Sequence, residues 1–309
     1  MSLFQRLAAL KEKLPDNLTG AAEIPEPSGL PEGREVVGPL GSCYVIERRY
    51  PGRVILPTQD PGQLLADLRL LRGIGPVTDE ALRCAGCRDI SGLTTHPRWG
   101  EEARAVIELI RRGDIPALKA RGAADYQWLG YFSSGDLVFL DIETTGLWAN
   151  QPLFLVGLLW EEDAGLMVRQ FLARRIGEEK AVLGAVLAEV PRFRVVVTYN
   201  GKQFDIPYIE GRSVAHRMFY RFPHQQLDLL YHARRHYRGR LPDCRLVTME
   251  EHLLGFQRQG DIPGYLIPQT YLRYTRSQDP ALIRDILEHN ALDLVALARL
   301  IHLLVRQVE

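Results

Sequence analysis

The chain has 309 residues, 46% of them apolar, and its 38 acidic residues balance its 38 basic residues. This length fits one large domain or two ordinary ones, and the apolar fraction is that of a globular protein with a sizeable core. The neutral net charge gives no global signal for a nucleic-acid partner, so such binding has to come from a local patch. No apolar run is long enough for a membrane span, and the charged N-terminus lacks the features of a signal peptide, so we expect a cytoplasmic protein.

The cysteines indicate neither a disulfide framework nor a zinc site. Only Cys84 and Cys87 form a CxxC pair, whereas a zinc site usually shows two such pairs. We expect the four cysteines to be small buried residues in a reduced compartment.

The first 125 residues predict an arm followed by a mainly helical region. Residues 1–14 have the pattern of a short helix, and residues 15–40 are rich in Pro, Gly and Glu, as in an extended connecting arm. Residues 43–49 alternate like a strand, and residues 62–120 contain amphipathic helical segments broken by Gly and Pro. We therefore divide the chain into an N-terminal helix with its arm, a helical region and a C-terminal domain, over residues 1–42, 43–125 and 126–309.

From about residue 136 the pattern changes to strands and helices. Apolar runs predict four strands, in the segments LVFLDIETTG, FLVGLLWEED, LMVRQFLARR and RVVVTYNG. A helix is predicted in EEKAVLGAVLAEV, before the last of these strands, and a long helix over about residues 279–307. This order indicates an α/β domain with a mixed sheet flanked by helices.

Two carboxylates end the first buried strand of this domain. Asp141 and Glu143 are two residues apart, so on a strand they point to the same face. Carboxylates beside an apolar strand are costly unless something pairs them, and no Lys or Arg lies nearby in the sequence. A hard divalent cation such as Mg²⁺ would compensate them. Thr144 and Thr145 then let the chain turn with its backbone near the site.

A third carboxylate, Asp205, follows the apolar strand at residues 195–197. Asn200 and Gly201 predict a turn, and Asp205 is expected to begin the next helix near the strand end. Asn200 and Lys202 offer a neutral and a cationic donor suited to phosphate.

His289 and Asp293 lie four residues apart in the C-terminal helix and therefore share one face of it. The combination with the strand carboxylates predicts a metal-dependent nuclease. Two metal ions about 4 Å apart activate a water and stabilise the leaving oxygen of a phosphodiester. A neutral His accepts the proton of the attacking water.

Each of these motifs alone has an ordinary structural explanation. A DxE pair is common at a solvated strand end, and a His in HNALD is typical of a helix surface. The order of a strand DxE, then YNGxxFD, then a helical HxxxD is far harder to obtain by chance.

The three motifs LDIETTG, YNGKQFD and HNALD resemble those of the DEDD exonucleases, a DnaQ-like superfamily with a ribonuclease-H-like fold. Over about residues 135–305 the chain resembles the YprB-type proteins more closely, and the similar segments include some without an evident catalytic residue, such as CRLVTMEEHLLGF. A characterised member of that group is the exonuclease of a mitomycin-damage repair pair, which works with a DEAD/DEAH-type helicase.

The resemblance implies a 3′–5′ exonuclease of DNA repair that uses two ions of Mg²⁺ or Mn²⁺ and has a repair helicase as a partner. It implies that His289 orients or deprotonates water, and that the metal ligands are Asp141, Glu143, Asp205 and Asp293. The spacing of the last motif departs from the family. Three residues separate its His and Asp, where the histidine subclass has four and the tyrosine subclass has three.

The segment LLRGIGPVTDEALRCAGCRDISGL resembles a helix-hairpin-helix. Gly73 and Gly75 allow a tight turn that exposes backbone N–H groups, and Thr78 is suited to cap the following helix. Such a turn presents amides to a DNA phosphate whatever the base sequence. The alternative is a helical hairpin that merely packs on the nuclease domain.

A basic stretch, HARRHYRGR, spans residues 232–240. Arg234, Arg235 and Arg238 together with Tyr237 suit the binding of a single strand by charge and stacking. The same composition is equally typical of the solvated face of a helix.

Two other functions stay open from the sequence alone. An RNA-directed or structure-selective nuclease would use the same site, because the fold does not determine the polymer. A non-catalytic DNA-binding accessory protein would carry an inactive site, and the complete carboxylate set argues against it.

Overall fold

A seven-stranded mixed sheet forms the centre of the protein. The computed structural model describes residues 29–56, 62–163 and 165–306, so the helix predicted over residues 1–14 lies outside the described residues. The strands are Arg34–Gly38 (β1), Gly41–Tyr50 (β2), Leu137–Thr144 (β3), Leu153–Glu162 (β4), Gly165–Leu172 (β5), Val195–Thr198 (β6) and Gln225–Asp228 (β7). Their order is β1-β2-β5-β4-β3-β6-β7, and only β3, β6 and β7 are parallel neighbours.

Helices cover both faces of this sheet. They are Gly62–Leu65 (α1), Pro76–Cys84 (α2), Gly100–Arg112 (α3), Ile115–Ala120 (α4), Asp125–Trp128 (α5), Glu179–Glu189 (α6), Asp205–Ala215 (α7), Leu229–Tyr237 (α8), Leu246–Met249 (α9), Ile267–Ser277 (α10) and Pro280–Leu304 (α11). A π-helical turn, Glu250–Leu254, continues α9.

The predicted elements of the C-terminal domain are confirmed. The four apolar runs form β3, β4, β5 and β6, the helix before β6 is α6, and the long C-terminal helix is α11. The α/β class with a mixed sheet flanked by helices is therefore confirmed as well. Strand β7 was missed because its sequence, QQLD, has only one apolar residue.

The hairpin of β1 and β2 lengthens this sheet. β2 pairs antiparallel with β5, beginning with Tyr44 opposite Leu172. The strand predicted over residues 43–49 is therefore confirmed, and residues 34–38, which lie inside the predicted arm, form β1. The division into three domains stays a prediction, although this hairpin belongs to the sheet of the last one.

The two faces of β3 contribute to two separate cores. Leu137 and Phe139 lie in a cluster with the C-terminal half of α11, and the residues that alternate with them lie in a cluster with α6 and α10. Because side chains alternate along a strand, Asp141 and Glu143 share the face of Leu137 and Phe139. This face is the one against which the C-terminal helix packs.

The N-terminal helices belong to the first of these cores. Leu68, Ile74 and Trp128 are buried in the same cluster as Leu229 and Leu304. Deleting these helices would expose apolar surface of the sheet, so point substitutions test their role more cleanly than truncation does.

In the part of the chain that the structure describes, no helix is long and apolar enough to cross a membrane. All four cysteines are free thiols, and Cys43 is buried. Cys84 is exposed and Cys87 and Cys244 are half-buried, so the prediction of four buried cysteines was wrong. Cys84 is exposed because α2 contributes no buried residue to the core.

Candidate active site at the carboxyl ends of β3 and β6

Asp141 and Glu143 lie in the last four residues of β3. β3 runs parallel to β6, with Leu137 opposite Val195, so the carboxyl ends of both strands lie at the same edge of the sheet. In an open α/β sheet, this edge is where sites form. Both carboxylates are half-buried on the face covered by α11.

Asp205 is brought to the same place by the turn after β6. It is the first residue of α7, as predicted, and is only 5% exposed. Its Oδ1 accepts a hydrogen bond of 3.1 Å from the backbone N–H of Ile142, the residue between Asp141 and Glu143. This bond connects the start of α7 directly to the acidic segment of β3.

Asp228 holds the loop that leads to Asp205. Its carboxylate accepts backbone hydrogen bonds from Asn200 (2.8 Å) and Lys202 (3.1 Å) and also caps α8 through Leu230 N–H (3.1 Å). Asn200 has a φ of +68°, a left-handed conformation that Asn tolerates better than most residues. The buried Asp228 is therefore a structural anchor of the site.

Asn290 connects α11 to β3. Its Nδ2 donates to Asp141 Oδ2 at 2.7 Å, and its Oδ1 accepts from Gln170 Nε2 at 2.8 Å. Both amide side chains are fully buried. Gly157 of β4 makes this approach possible, because a Cβ there would lie 2.2 Å from Asn290 Oδ1.

Asp293 is held by an arginine that comes from the loop after the π-helical turn. Arg258 Nη2 donates to Asp293 Oδ1 at 2.5 Å, and the same guanidinium makes two bonds, of 2.7 and 2.8 Å, with Glu250. Its Nη1 donates to Asp261 Oδ2 at 3.0 Å. The side chains of Arg258 and Glu250 are only 3% and 2% exposed. Three carboxylates thus share one buried cation.

His289 faces the same network. Its Nδ1 lies 2.8 and 3.0 Å from the two oxygens of Asp261, and its Nε2 lies 3.8 Å from Asp293 Oδ2. Because an ionised carboxylate can only accept, Nδ1 carries the proton and Nε2 is left unprotonated in the neutral ring. The imidazole therefore turns its basic nitrogen towards the carboxylates.

The carboxylates oppose one another's ionisation. Burial raises the pKa of Asp141 well above its usual range, and the charges of Asp293, Glu143 and Asp205 add to this. Burial and the charges of Asp293 and Asp205 likewise raise the pKa of Glu143. Burial raises the pKa of Asp205 to about 7, against the lowering effect of its backbone hydrogen bonds. Groups perturbed in this way are typical of functional sites.

This donor set suits a hard divalent cation, which prefers carboxylate oxygens. Three of these carboxylates accept hydrogen bonds from other groups. Asp141 accepts from Asn290, Asp205 from a backbone amide and Asp293 from Arg258. Over the residues that the structure describes, no three His, Cys, Asp or Glu side chains are arranged as a finished metal shell. The ligand chemistry fits, and among these carboxylates it is Asp293 that is held by a cation, Arg258.

The other residues predicted near the site have internal partners. The hydroxyls of Thr144 and Thr145 donate to the carbonyls of Gly146 (2.7 Å) and Pro152 (2.9 Å), so they stabilise the turn after β3. The ammonium of Lys202 lies 5.6 Å from the centre of the half-exposed ring of Tyr231. The turn after β3 therefore lies beside the carboxylates, whereas the Lys202 ammonium contacts Tyr231.

A turn is present at Gly73–Gly75, and its identity as a helix-hairpin-helix stays a prediction. Gly73 has a φ of +84°, which requires glycine there, and α2 begins at Pro76 with Gly75 as its N-cap. The prediction that Thr78 caps this helix was wrong, because Pro76 is favoured at a first helical position and starts the helix earlier. The turn lies in the N-terminal helical region, where Ile74 is buried in the first core.

The basic stretch is divided by the turn of α8. Arg234 and Arg238 line a cavity of about 590 Å³ with Tyr199 and Asn200, the residues that follow β6. Arg235 does not line this cavity, because adjacent helical residues are about 100° apart around the axis. The structure therefore joins two of the three predicted arginines to the loop that leads to Asp205.

Sequence reasoning missed the residues that support the site. Arg258, Asp261 and Glu250 lie in loop and π-helical segments with no periodic pattern, so nothing in the sequence marks them as partners of His289. Among the supporting residues, Asn290 could have been recognised from the sequence, because it is an amide in a strongly apolar helix.

A central mixed sheet with acidic residues at the carboxyl ends of its parallel strands defines a ribonuclease-H-like α/β domain. Residues 138–305 match the RNase_H superfamily, and because they make up more than half of the chain, the chain belongs to that superfamily. This superfamily includes nucleases.

Two individual proteins are similar to this chain. It is 36% identical over 175 residues to the Bacillus subtilis (strain 168) protein named uncharacterized protein YprB. The matched region makes up 55% of this chain and 42% of that relative. The chain thus matches less than half of the length of this relative. The family B DNA polymerase of the hyperthermophilic archaeon Pyrobaculum calidifontis is 17% identical, with a TM-score of 0.43, over 53% of this chain and 24% of the polymerase.

Proposed function

We propose that this protein is a metal-dependent 3′–5′ exonuclease of the DEDD kind, which hydrolyses the phosphodiester bonds of DNA in a repair pathway. The observation that supports this most is the gathering of four acidic residues from three elements. A histidine lies on the same helix, α11, as the last of them. Membership of the RNase_H superfamily supports a nuclease as the general class. The acidic residues are Asp141, Glu143, Asp205 and Asp293.

These four carboxylates would hold two divalent ions, Mg²⁺ or Mn²⁺. When bound, the ions supply positive charge to the phosphoryl group and to the leaving oxygen. Asn290 orients Asp141 through its 2.7 Å hydrogen bond, and the Ile142 amide orients Asp205. Arg258 releases Asp293 for this task while it keeps its two bonds to Glu250.

His289 acts as the general base. Asp261 accepts a hydrogen bond from Nδ1–H and so keeps the lone pair of Nε2 free. Nε2 takes a proton from the attacking water, whose oxygen forms the new bond to phosphorus while the bond from phosphorus to the 3′ oxygen of the preceding nucleotide breaks. The product is a nucleoside 5′-monophosphate, and the leaving 3′ oxygen takes a proton from solvent, so the shortened strand ends in a 3′ hydroxyl.

DNA is held by groups on both sides of these carboxylates. We assign phosphate contacts to Asn200 and Lys202 beside Asp205 and to the backbone turn at Thr144 and Thr145. The backbone amides of the Gly73–Gly75 hairpin would bind a more distant phosphate at the N-terminus of α2. A repair helicase that presents the strand is the proposed protein partner.

One assay tests the proposal directly. End-labelled single- and double-stranded DNA and RNA are incubated with the protein and with Mg²⁺, Mn²⁺ or EDTA, beside the variant Asp141→Asn. Stepwise loss of nucleotides from the 3′ end of DNA, dependent on metal and on Asp141, is expected.

Other outcomes identify the alternatives. Cleavage confined to RNA would replace DNA by RNA as the substrate, and cuts inside a branched DNA would indicate a structure-selective nuclease. Binding of DNA without hydrolysis under any metal would reduce the protein to an accessory module.

A further inference from the structure

We propose that the cavity lined by Arg234 and Arg238, called here the arginine cavity, binds one nucleotide of the single strand whose end is at the carboxylates. The phosphate would lie on the two guanidinium groups and the base against the apolar wall. This inference rests on the proposed function for the identity of its ligand.

The shape of the arginine cavity suits a nucleotide. Its volume, about 590 Å³, falls within the range of small-ligand sites, which is roughly 300–1,000 Å³. The lining includes the apolar residues Leu230, Leu241 and Leu246 and the aromatic residue Tyr199. An apolar wall beside an aromatic ring is a sequence-tolerant surface for a base.

The charge of the arginine cavity is positive. Three arginines and one carboxylate line it, and the carboxylate, Asp243, is paired with Arg245 at 2.5 Å. Within the described residues, neither Arg234 nor Arg238 forms an ion pair, so their charges are left for an external anion. Arginine suits phosphate because its planar fork donates two parallel hydrogen bonds.

The walls of the cavity are held in place. The hydroxyl of Tyr199 donates to the Cys244 carbonyl at 2.6 Å, which closes the loop after α8 onto the end of β6. Burial raises the pKa of Tyr199, and the charge of the nearby Arg234 opposes this rise. A site with fixed walls loses little entropy when a ligand binds.

The arginine cavity is connected to the acidic residues by a single short loop. Asn200 lines the cavity, and Asp205 begins α7 only five residues later. Asp228 holds this loop in place by accepting hydrogen bonds from the backbone N–H groups of Asn200 and Lys202. A strand that leaves the carboxylates along this loop therefore meets a positive, partly apolar cavity next, where its backbone gains phosphate contacts that do not depend on base sequence.

The test measures binding apart from hydrolysis. Fluorescence anisotropy of a labelled oligo-dT and an oligo-U is recorded in EDTA for the full chain, for Arg234→Ala/Arg238→Ala and for Arg240→Ala/Arg299→Ala. The second pair removes the same charge from exposed positions that do not line the cavity. Thermal unfolding checks that each variant is folded.

The cavity variant should bind the strand at least about 10-fold more weakly than wild type, and the control pair should lie within about twofold. Each lost phosphate contact on a single strand lowers the salt slope by about 0.7, so the loss of the one phosphate held by both arginines should lower it by about that amount. Competition by deoxythymidine 5′-monophosphate distinguishes a site for the strand from a site for the released product, since only the latter would be filled by the free nucleotide at low concentration.

Hydrolysis of a small phosphodiester, bis(4-nitrophenyl) phosphate, separates this inference from the proposed function. The small ester reaches only the carboxylates, so its cleavage, which Asp141→Asn should lose, reports on the nuclease site separately from strand binding. If the ester is cleaved and the cavity variant still binds oligonucleotides like wild type, the cavity inference is overturned and the nuclease stands. If no ester or strand is cleaved but the cavity variant loses affinity, the nuclease proposal fails and the cavity inference stands. Tight binding of a poly-glutamate peptide with none of either oligonucleotide would indicate an acidic protein ligand and overturn it.

Discussion

The carboxylate of Asp261 accepts a hydrogen bond from Nδ1–H of His289, with distances of 2.8 and 3.0 Å to its two oxygens. This pairing means that the ring is oriented by a loop residue as well as by its position on the helix. Asp261 is a positioning residue, since its partners are the imidazole of His289 and the guanidinium of Arg258.

Asp261→Asn is expected to lower kcat by about 10- to 100-fold, which is less than the loss from His289→Ala. The amide can donate to Nδ1 and so favours the tautomer in which Nε2 carries the proton. The KM for a short oligonucleotide should change little. The pH profile of kcat should shift, because the neutral side chain no longer stabilises the protonated ring, and a purely structural role of Asp261 would leave that profile in place.

The metal-free protein should become less stable as the pH rises. The folded-state pKa of Asp205, about 7, is above its ordinary value of 3.8, so between these values the folded protein binds the extra proton and its free energy of unfolding falls as the pH increases. The raised pKa values of Asp141 and Glu143 act in the same direction. Thermal unfolding of wild type and Asp205→Asn in EDTA measures this.

Wild type and Asp205→Asn should have similar Tm values at pH 5, and Asp205→Asn should be the more stable at pH 8. The amide oxygen of the variant still accepts the hydrogen bond from Ile142, but it carries no charge. Adding Mg²⁺ at pH 8 should raise the Tm of wild type more than that of the variant. A variant that is less stable than wild type at pH 8 in EDTA would contradict the electrostatic account.

Arg258→Ala should destabilise the protein by about 3–5 kcal/mol, because it leaves the buried carboxylate of Glu250 without its partner. The double variant Arg258→Ala/Glu250→Gln removes that unpaired charge and should recover part of the loss. Urea unfolding of the single and double variants measures both effects. A single variant within about 1 kcal/mol of wild type would show that the buried cation contributes little.

Gly157→Ala should impair hydrolysis by moving α11 away from the sheet. Its Cβ would lie 2.2 Å from Asn290 Oδ1 and 2.7 Å from Leu294 Cδ1, so the hydrogen bond to Asp141 would be displaced. A shift of about 1 Å in a catalytic group can cost roughly 100-fold in rate. Gly177→Ala is the matched control, since a Cβ there meets nothing within 4 Å. Equal rates for both variants would rule out tight positioning by Asn290.

Gly75→Ala tests the hairpin as a phosphate-binding turn. A Cβ at this position meets no atom within 4 Å and the φ of −95° suits alanine, so the fold should persist with a small loss from the poorer N-cap. The added methyl group hinders the approach of a phosphate to the backbone amides, and duplex affinity should fall several-fold. Gly264→Ala, also in open space, is the control. Unchanged affinity of Gly75→Ala would favour a hairpin that only packs.

Local patterns were enough to predict the class of fold and the candidate carboxylates. Strands β3, β4, β5 and β6 were recognisable because each is a continuous apolar run, and α11 because its apolar residues recur at helical spacing. Asp141, Glu143 and Asp205 stood out as charges at the ends of such runs, where an unpaired charge is costly. This part of the interpretation depended only on residues close together in the sequence.

What surrounds those carboxylates was decided by contacts between distant segments. Asp261 reaches His289 across 28 residues, Arg258 reaches Asp293 across 35 and Asn290 reaches Asp141 across 149. Such pairs have no signature in a single sequence, because loop residues can turn to any neighbour that the folding of the whole chain brings near. The sequence by itself therefore determined which side chains carry the charge, and only the tertiary structure decided which partners hold each one and which arginines share a cavity beside them.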